Sequence, residues 1–159
     1  MFPVKKILCP IDFSKPSLEG LKVALEIAEK DSSELILVHV VQPVQPVPAP
    51  GVPGGYGIQD YYEERSATAR KSFDEIVAQD IPQGVAVRTK VFRGQAADEI
   101  VREAESEKVN MIVTSTHGWT GWRRFMFGSV AERVIRLSSC PVLIIPDPGK
   151  SKQPVSGNQ

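Results

Sequence analysis

Short runs of β-branched and other apolar residues alternate with longer stretches that are apolar on one helical face. That alternation restricts the fold more than any single motif does. Lys6 to Ile11 reads as a first strand. Leu18, Leu21, Leu25 and Ala28 then mark one face of a helix from about Pro16 to Lys30, with Ser14 placed as its N-cap and Pro16 tolerated in the first turn. Leu35 to Val41 is apolar almost throughout, as strands covered on both faces are. A second helix is expected from about Asp60 to Asp80, with Tyr62, Ala69, Phe73 and Ile76 turned inward. Val85 to Phe92 alternates as a third strand, with Val85, Val87, Thr89 and Val91 on one face and Arg88 and Lys90 on the other. Gln95 to Lys108 is a third helix carrying Ile100, Val101 and Ala104, and Asn110 to Ser115 a fourth strand. Gly128 to Ser138 is a fourth helix with Val130, Val134 and Leu137, and Pro141 to Ile145 a fifth strand. The order β-α-β-α-β-α-β-α-β, with no internal repeat, implies a three-layer α/β/α fold: a parallel sheet, right-handed crossovers, and helices on both faces.

One segment breaks the pattern. Gln42 to Gly57 holds five prolines and four glycines in sixteen residues, a composition neither a helix nor a ladder accommodates. Residues 42–59 therefore read as a long surface connection of polyproline character inside one domain, 1–146, because neither side is complete without the other. Residues 147–159 read as a disordered polar tail. Nineteen Lys and Arg balance nineteen Asp and Glu, so no overall field attracts nucleic acid or anionic lipid, and any bound anion must be caught locally. No signal-length apolar stretch follows Met1, and no run approaches the roughly 20 apolar residues that cross a bilayer. The two cysteines, Cys9 and Cys140, are too few for a disulfide framework and lack zinc spacing; both read as small core residues. A cytoplasmic location is expected.

In an open α/β sheet, ligands bind beyond the carboxyl ends of the strands, where the strand order reverses. Two loops qualify. After the first strand, Asp12 sits in Pro10-Ile11-Asp12-Phe13-Ser14, suited either to accept hydrogen bonds from ribose hydroxyls or to cap a turn. After the fourth strand, residues 115–129 combine Ser115, Thr116, Gly118, Arg123, Arg124, Gly128 and Ser129. Glycine admits close backbone approach, successive N–H groups form an anion nest, and a helix N-terminus attracts phosphate. His39 lies inside a strand and reads as a satisfied core histidine; His117 is placed either to touch phosphate or to position its turn. Trp119 and Trp122 read as packing over the glycine loop.

These residues resemble those of the universal stress protein family. Its nucleotide-binding members carry Gly-x2-Gly-x9-Gly-(Ser or Thr) in this loop, and here the spacing is Ser115-x2-Gly118-x9-Gly128-Ser129. Lys6 to Ser14, Leu37-Val38-His39-Val40, Gly128 to Val134 and Cys140-Pro141-Val142-Leu143 are similar to the family's other signatures, so the likeness runs in order from residue 4 to 146. The resemblance implies a five-stranded Rossmann-like sheet of order 3-2-1-4-5. It also implies an ATP site in which Asp12 binds ribose, Val40 meets adenine through its backbone, and Pro10 and Ile11 lie nearby. Gly118, Gly128, Ser129 and the Val130 amide would hold phosphates, with Thr114 and Ser115 near the ribose and α-phosphate. Mg²⁺ would arrive with the nucleotide. One departure stands out: Ser115 occupies the first glycine position, which a serine fills without strain only if no positive φ is needed.

The expectation is thus an ATP-binding regulator or sensor in stress response with little or no turnover, since no general base or nucleophile is evident beside the phosphates. The alternative is a nucleotide-free stress protein acting through protein contacts. A receiver domain is excluded because Phe92-Arg93 and Ile145-Pro146 replace its aspartate and lysine; Walker A and dinucleotide fingerprints are absent. In the order 3-2-1-4-5, Arg88 and Lys90 blunt one edge strand, whereas Val142 to Ile145 carries no charge. An uncharged edge needs cover, so a homodimer through strand five is expected, as the family also implies.

Overall fold

A computed structural model describes residues 3–44, 57–116 and 128–146. Five strands, β1 (Lys6–Pro10), β2 (Glu34–Val41), β3 (Val87–Arg93), β4 (Met111–Ser115) and β5 (Val142–Ile145), alternate with four helices: α1 (Lys15–Asp31), α2 (Ile58–Gln79), α3 (Ala96–Glu107) and α4 (Ser129–Leu137). All strand pairs are parallel and the sheet order is β3-β2-β1-β4-β5. The fold class and strand order are those expected.

Strand pleating divides the core in two. Ile7, Cys9, Leu35, Leu37 and Val113 point to one face, where they meet Leu21, Ala24, Leu25 and Ala28 of α1 and Phe73 and Ile76 of α2. Leu8, Ile36, Val38 and Ile112 point to the other, against Ala97, Ile100, Val101 and Ala104 of α3 and Val134 of α4. The helices segregate because the chain reverses direction. It travels β1 to β2 to β3, then crosses back to β4 and β5, and right-handed crossovers put helices on opposite faces for opposite directions of travel. Cys9 and Cys140 lie against opposite faces and are free thiols. Burial pushes the Cys9 thiol up to about 12, so it stays protonated and inert; Cys140 is half-buried rather than enclosed.

Several boundaries differ from the sequence reading. The β3 ladder begins where the Leu35 N–H finds the Ala86 carbonyl at 2.8 Å, so Val85 belongs to the preceding turn while its side chain still packs on the core. Helix α2 starts at Ile58, inside the segment expected to be irregular; residues 45–56 and the tail 147–159 lie outside the described residues. Leu137, expected on the inner face of α4, is 47% exposed: it is the last residue of the helix, and burial ends with Val134 one turn earlier.

Arg88 and Lys90 do not simply stand as charges on the edge. They join Lys6, Glu34, Glu103 and Glu107 in one ion-pair network on the α3 side of the sheet. Glu107 is its hub: the Arg88 guanidinium donates to both of its oxygens at 2.9 and 2.7 Å, and the ammoniums of Lys90 and Lys6 reach it at 2.7 and 3.2 Å. Hydrogen bonds from Arg88, then Lys90, then Lys6 hold the Glu107 carboxyl well below the usual carboxylate range. A depressed carboxylate stabilises the fold fully above its unfolded pKa, and that contribution is lost as pH falls toward the folded value. Glu107→Gln is therefore expected to reduce stability by about 1 kcal/mol at pH 7, as for a favourably placed surface network. The difference from the parent should shrink as pH is lowered from 5 toward 2. Thermal melts of both proteins across that range test this, and a difference that stays constant with pH would contradict it.

Candidate functional site

The reversal of chain direction falls between β1 and β4, which are neighbours in the sheet but lead their connections to opposite sides. At their carboxyl ends lies a cleft of about 780 Å³. Every predicted site residue within the described regions lines it: Pro10, Ile11 and Asp12 after β1, Val40 in β2, Thr114 and Ser115 in β4, and Gly128, Ser129 and Val130 at the start of α4. His117 and Gly118, with Trp119, Trp122, Arg123 and Arg124, lie outside the described residues.

Local chemistry explains how these residues arrive there. The Ile11 N–H still bonds the Val38 carbonyl at 2.8 Å, so the chain stays in register with β2 for one residue past β1. It then turns sharply through Phe13, whose φ of 64° is in the left-handed region that side chains other than glycine rarely occupy. Ser14 follows in extended conformation as the N-cap of α1. Its N–H and Oγ–H both donate to Asp12 Oδ1, at 2.9 and 2.5 Å, and its Oγ accepts a long 3.4 Å bond from the Ser17 N–H. Both readings of Asp12 thus have a physical basis: the carboxylate braces the turn and lines the cleft.

On the other side, the Thr116 N–H bonds the Ile145 carbonyl at 3.0 Å, and the Gly128 N–H returns to the Thr116 carbonyl. The two ends of the connecting loop are therefore tied together, and α4 begins beside the end of β4. Gly128 is its extended N-cap, among the described residues no side chain caps that terminus, and Ser129, Val130 and Ala131 of its first turn line the cleft. Ser115 is not among the described residues with positive φ, which are Phe13, Ser32, Lys108, Gly84 and Gly94. The backbone at that position makes no demand for glycine, and serine fills it without strain.

Two groups of cleft residues were not anticipated. Tyr61, Arg65, Thr68 and Ser72 form a polar stripe on α2 facing the cleft. Their spacing of four, three and four residues is a helical face, visible in sequence only once α2 is known to stand beside the strand ends. Arg65 lies 5.5 Å from the centre of the Tyr61 ring. His39 was read as a core histidine, and it is satisfied: its Nδ1 is 2.7 Å from the Ile11 carbonyl oxygen. It is only half-buried, however, and lines the cleft. Among the described residues no group of three or more His, Cys, Asp or Glu is arranged to hold a metal ion, and no helix is long and apolar enough to cross a membrane.

A parallel, doubly wound sheet with a ligand-sized cleft at its point of reversal defines the class: an α/β protein whose candidate site is built at the carboxyl ends of the strands. The chain belongs to the universal stress protein family, whose profile matches residues 3–146. A universal stress protein of Methanocaldococcus jannaschii, MJ0531, is 37% identical over 146 residues, covering 92% of this chain and 84% of that protein. The solved structure of MJ0577 from the same organism superposes with a TM-score of 0.77 at 27% identity, covering 92% of this chain and 98% of that one. A universal stress protein solved in complex with cAMP, 22% identical, shares the fold with a TM-score of 0.61 over 91% of this chain and 98% of its own.

The Ser14 arrangement yields a prediction. Ser14→Ala removes both the side-chain cap of α1 and the hydroxyl donor to Asp12, leaving the backbone N–H donor in place, and is expected to reduce stability by about 1 kcal/mol, the usual value of an N-cap. At this chain length that corresponds to a fall in Tm of about 2–4 °C. Calorimetry checks it; an unchanged Tm would mean that water replaces the cap without loss.

Proposed function

We propose that the protein binds ATP in this cleft and acts as a regulator or sensor with little or no turnover. The observation that carries the reading is convergence. Residues from three separate strand ends and one helix start, assigned to adenine, ribose and phosphates from the sequence resemblance, line a single cleft. The chemistry is suitable throughout. Asp12 is a carboxylate acceptor for ribose hydroxyls, and the start of α4, with no side-chain cap among the described residues, offers N–H groups and a positive dipole end to phosphate. Val40 offers backbone groups at the end of β2, and Ile11 and Ile100 supply apolar surface for a base. Mg²⁺ would enter with the nucleotide and keep most of its waters.

The test is chromatography of nucleotide released on denaturing freshly purified protein, repeated for Asp12→Ala and Ser129→Ala. ATP or ADP is expected from the parent and little from the variants. If none co-purifies and millimolar Mg-ATP fails to raise the Tm, the reading is wrong and action through protein contacts takes its place.

We also propose a homodimer through β5. Val142 to Ile145 is half-buried, uncharged and paired on one side by β4. In α4, which leads to it, Ile135 is 41% exposed and Leu137 47%. A flat apolar edge of this kind is a template for pairing unless covered. Light scattering at micromolar concentration should give twice the chain mass, and Leu143→Lys should give the monomer; a monomeric parent would rule the dimer out.

A further inference from the structure

The turn that presents Asp12 contains a residue in an unfavourable conformation, and something must hold it there. Phe13 has φ 64°, a geometry that disfavours any side chain with a Cβ. Strained backbone of this kind persists only where the surroundings over-determine it. Two contacts do so. The Phe13 ring lies 4.8 Å from the His39 ring and 5.2 Å from Phe73, tilted against both. Phe73 is fully buried in the α1/α2 core, so it forms a fixed wall. His39 is anchored in β2 and does two things at once: it packs on Phe13, and its Nδ1 reaches the Ile11 carbonyl at 2.7 Å. The residues on either side of Asp12 are therefore both gripped by one imidazole.

We infer that His39 is a positioning residue for ribose recognition, fixing the direction of the Asp12 carboxylate through Ile11 and Phe13 without touching the ligand itself. This rests on the adenine-nucleotide reading above. A carbonyl oxygen only accepts, so Nδ1 carries a proton and donates to Ile11. Asparagine can place its Nδ2–H₂ near the same point. Phenylalanine keeps an aromatic ring against Phe13 but has no donor. His39 thus separates two features, and a pair of substitutions reads them independently. Ser14 sets the carboxylate's local rotamer; His39 sets where the backbone carrying it lies.

The experiment compares ATP with 2′,3′-dideoxy-ATP by calorimetric titration of the full chain, because only the ribo form has hydroxyls for Asp12. A charge-assisted hydrogen bond gives the parent a preference of about tenfold or more for ATP. In His39→Phe that preference is expected to fall to within about threefold of unity, mainly through weaker ATP binding, while dideoxy-ATP binds as before. In His39→Asn the preference should return. Uniform weakening of both nucleotides in His39→Phe would indicate a general structural role and overturn the inference, as would an unchanged preference. Failure of His39→Asn to restore the preference would show that the hydrogen bond to Ile11 does not carry the effect and also overturn it. If His39→Phe does not fold, His39→Leu, which likewise lacks a donor to the Ile11 carbonyl, should lower the preference alike; retention there overturns the inference. A parent that binds neither nucleotide overturns the ATP reading and the ribose role of His39 with it. A parent that binds both equally overturns only the assignment of Asp12 and His39 to ribose.

Discussion

Complete burial of the middle of β1, Ile7 to Cys9, on both faces is the constraint from which the rest of the architecture follows. Ile7, Leu8 and Cys9 have no solvent exposure, and they point alternately into the two core clusters. A strand without access to water must pair on both sides, here with β2 and β4, and must be covered above and below by helices. Since the chain leaves β1 toward β2 and returns to its other side only with β4, one strand acts both as the centre of the core and as the boundary of the cleft. Fold stability and the cleft therefore share a structural element. A polar residue in β1 would be left without partners in the core and would also displace Asp12.

Within that frame, the cleft is built from parts that are individually ordinary. A strand end runs into a capped helix, another helix starts with no side-chain cap among the described residues, and Gly128 is tied to Thr116 by one backbone bond. Burial is densest in the middle of the sheet, whereas Asp12, Ser115 and Ser129 sit at its rim and line the cleft. The opposite end of the sheet carries the Glu107 network, which joins β1, β2, β3 and α3 by charge. Apolar packing occupies the centre, ion pairs one rim and the cleft the other, so these features are separated along the strand direction.

How much of this was readable beforehand depends on the range of the interaction. Strand β2 and helix α1 were legible because their signals are local: an apolar run such as Leu35 to Val38, and apolar residues at helical spacing ending in Ala28. Boundaries slipped where a long-range bond decides them, as at Ala86, whose carbonyl is claimed by Leu35. Leu137 was misplaced because helical periodicity says which residues share a face but not where along the helix burial ends. Arg88 and Lys90 were correctly placed opposite the valines, yet their partners on α3 were not foreseeable from β3 alone.

The sequence by itself determined the order of elements, the parallel sheet, and which loops would stand at the strand ends, because hydrophobic periodicity and turn chemistry act over a few residues. It also carried the spacing from Ser115 to Ser129 that marks the family. Only the tertiary structure decided that Tyr61, Arg65, Thr68 and Ser72 border the cleft, that Ser115 needs no glycine, and that Phe13 takes a left-handed conformation held by His39 and Phe73. Each of these depends on surfaces that meet across 25 residues or more of intervening chain, or on a backbone angle imposed by such contacts, and no local pattern encodes them.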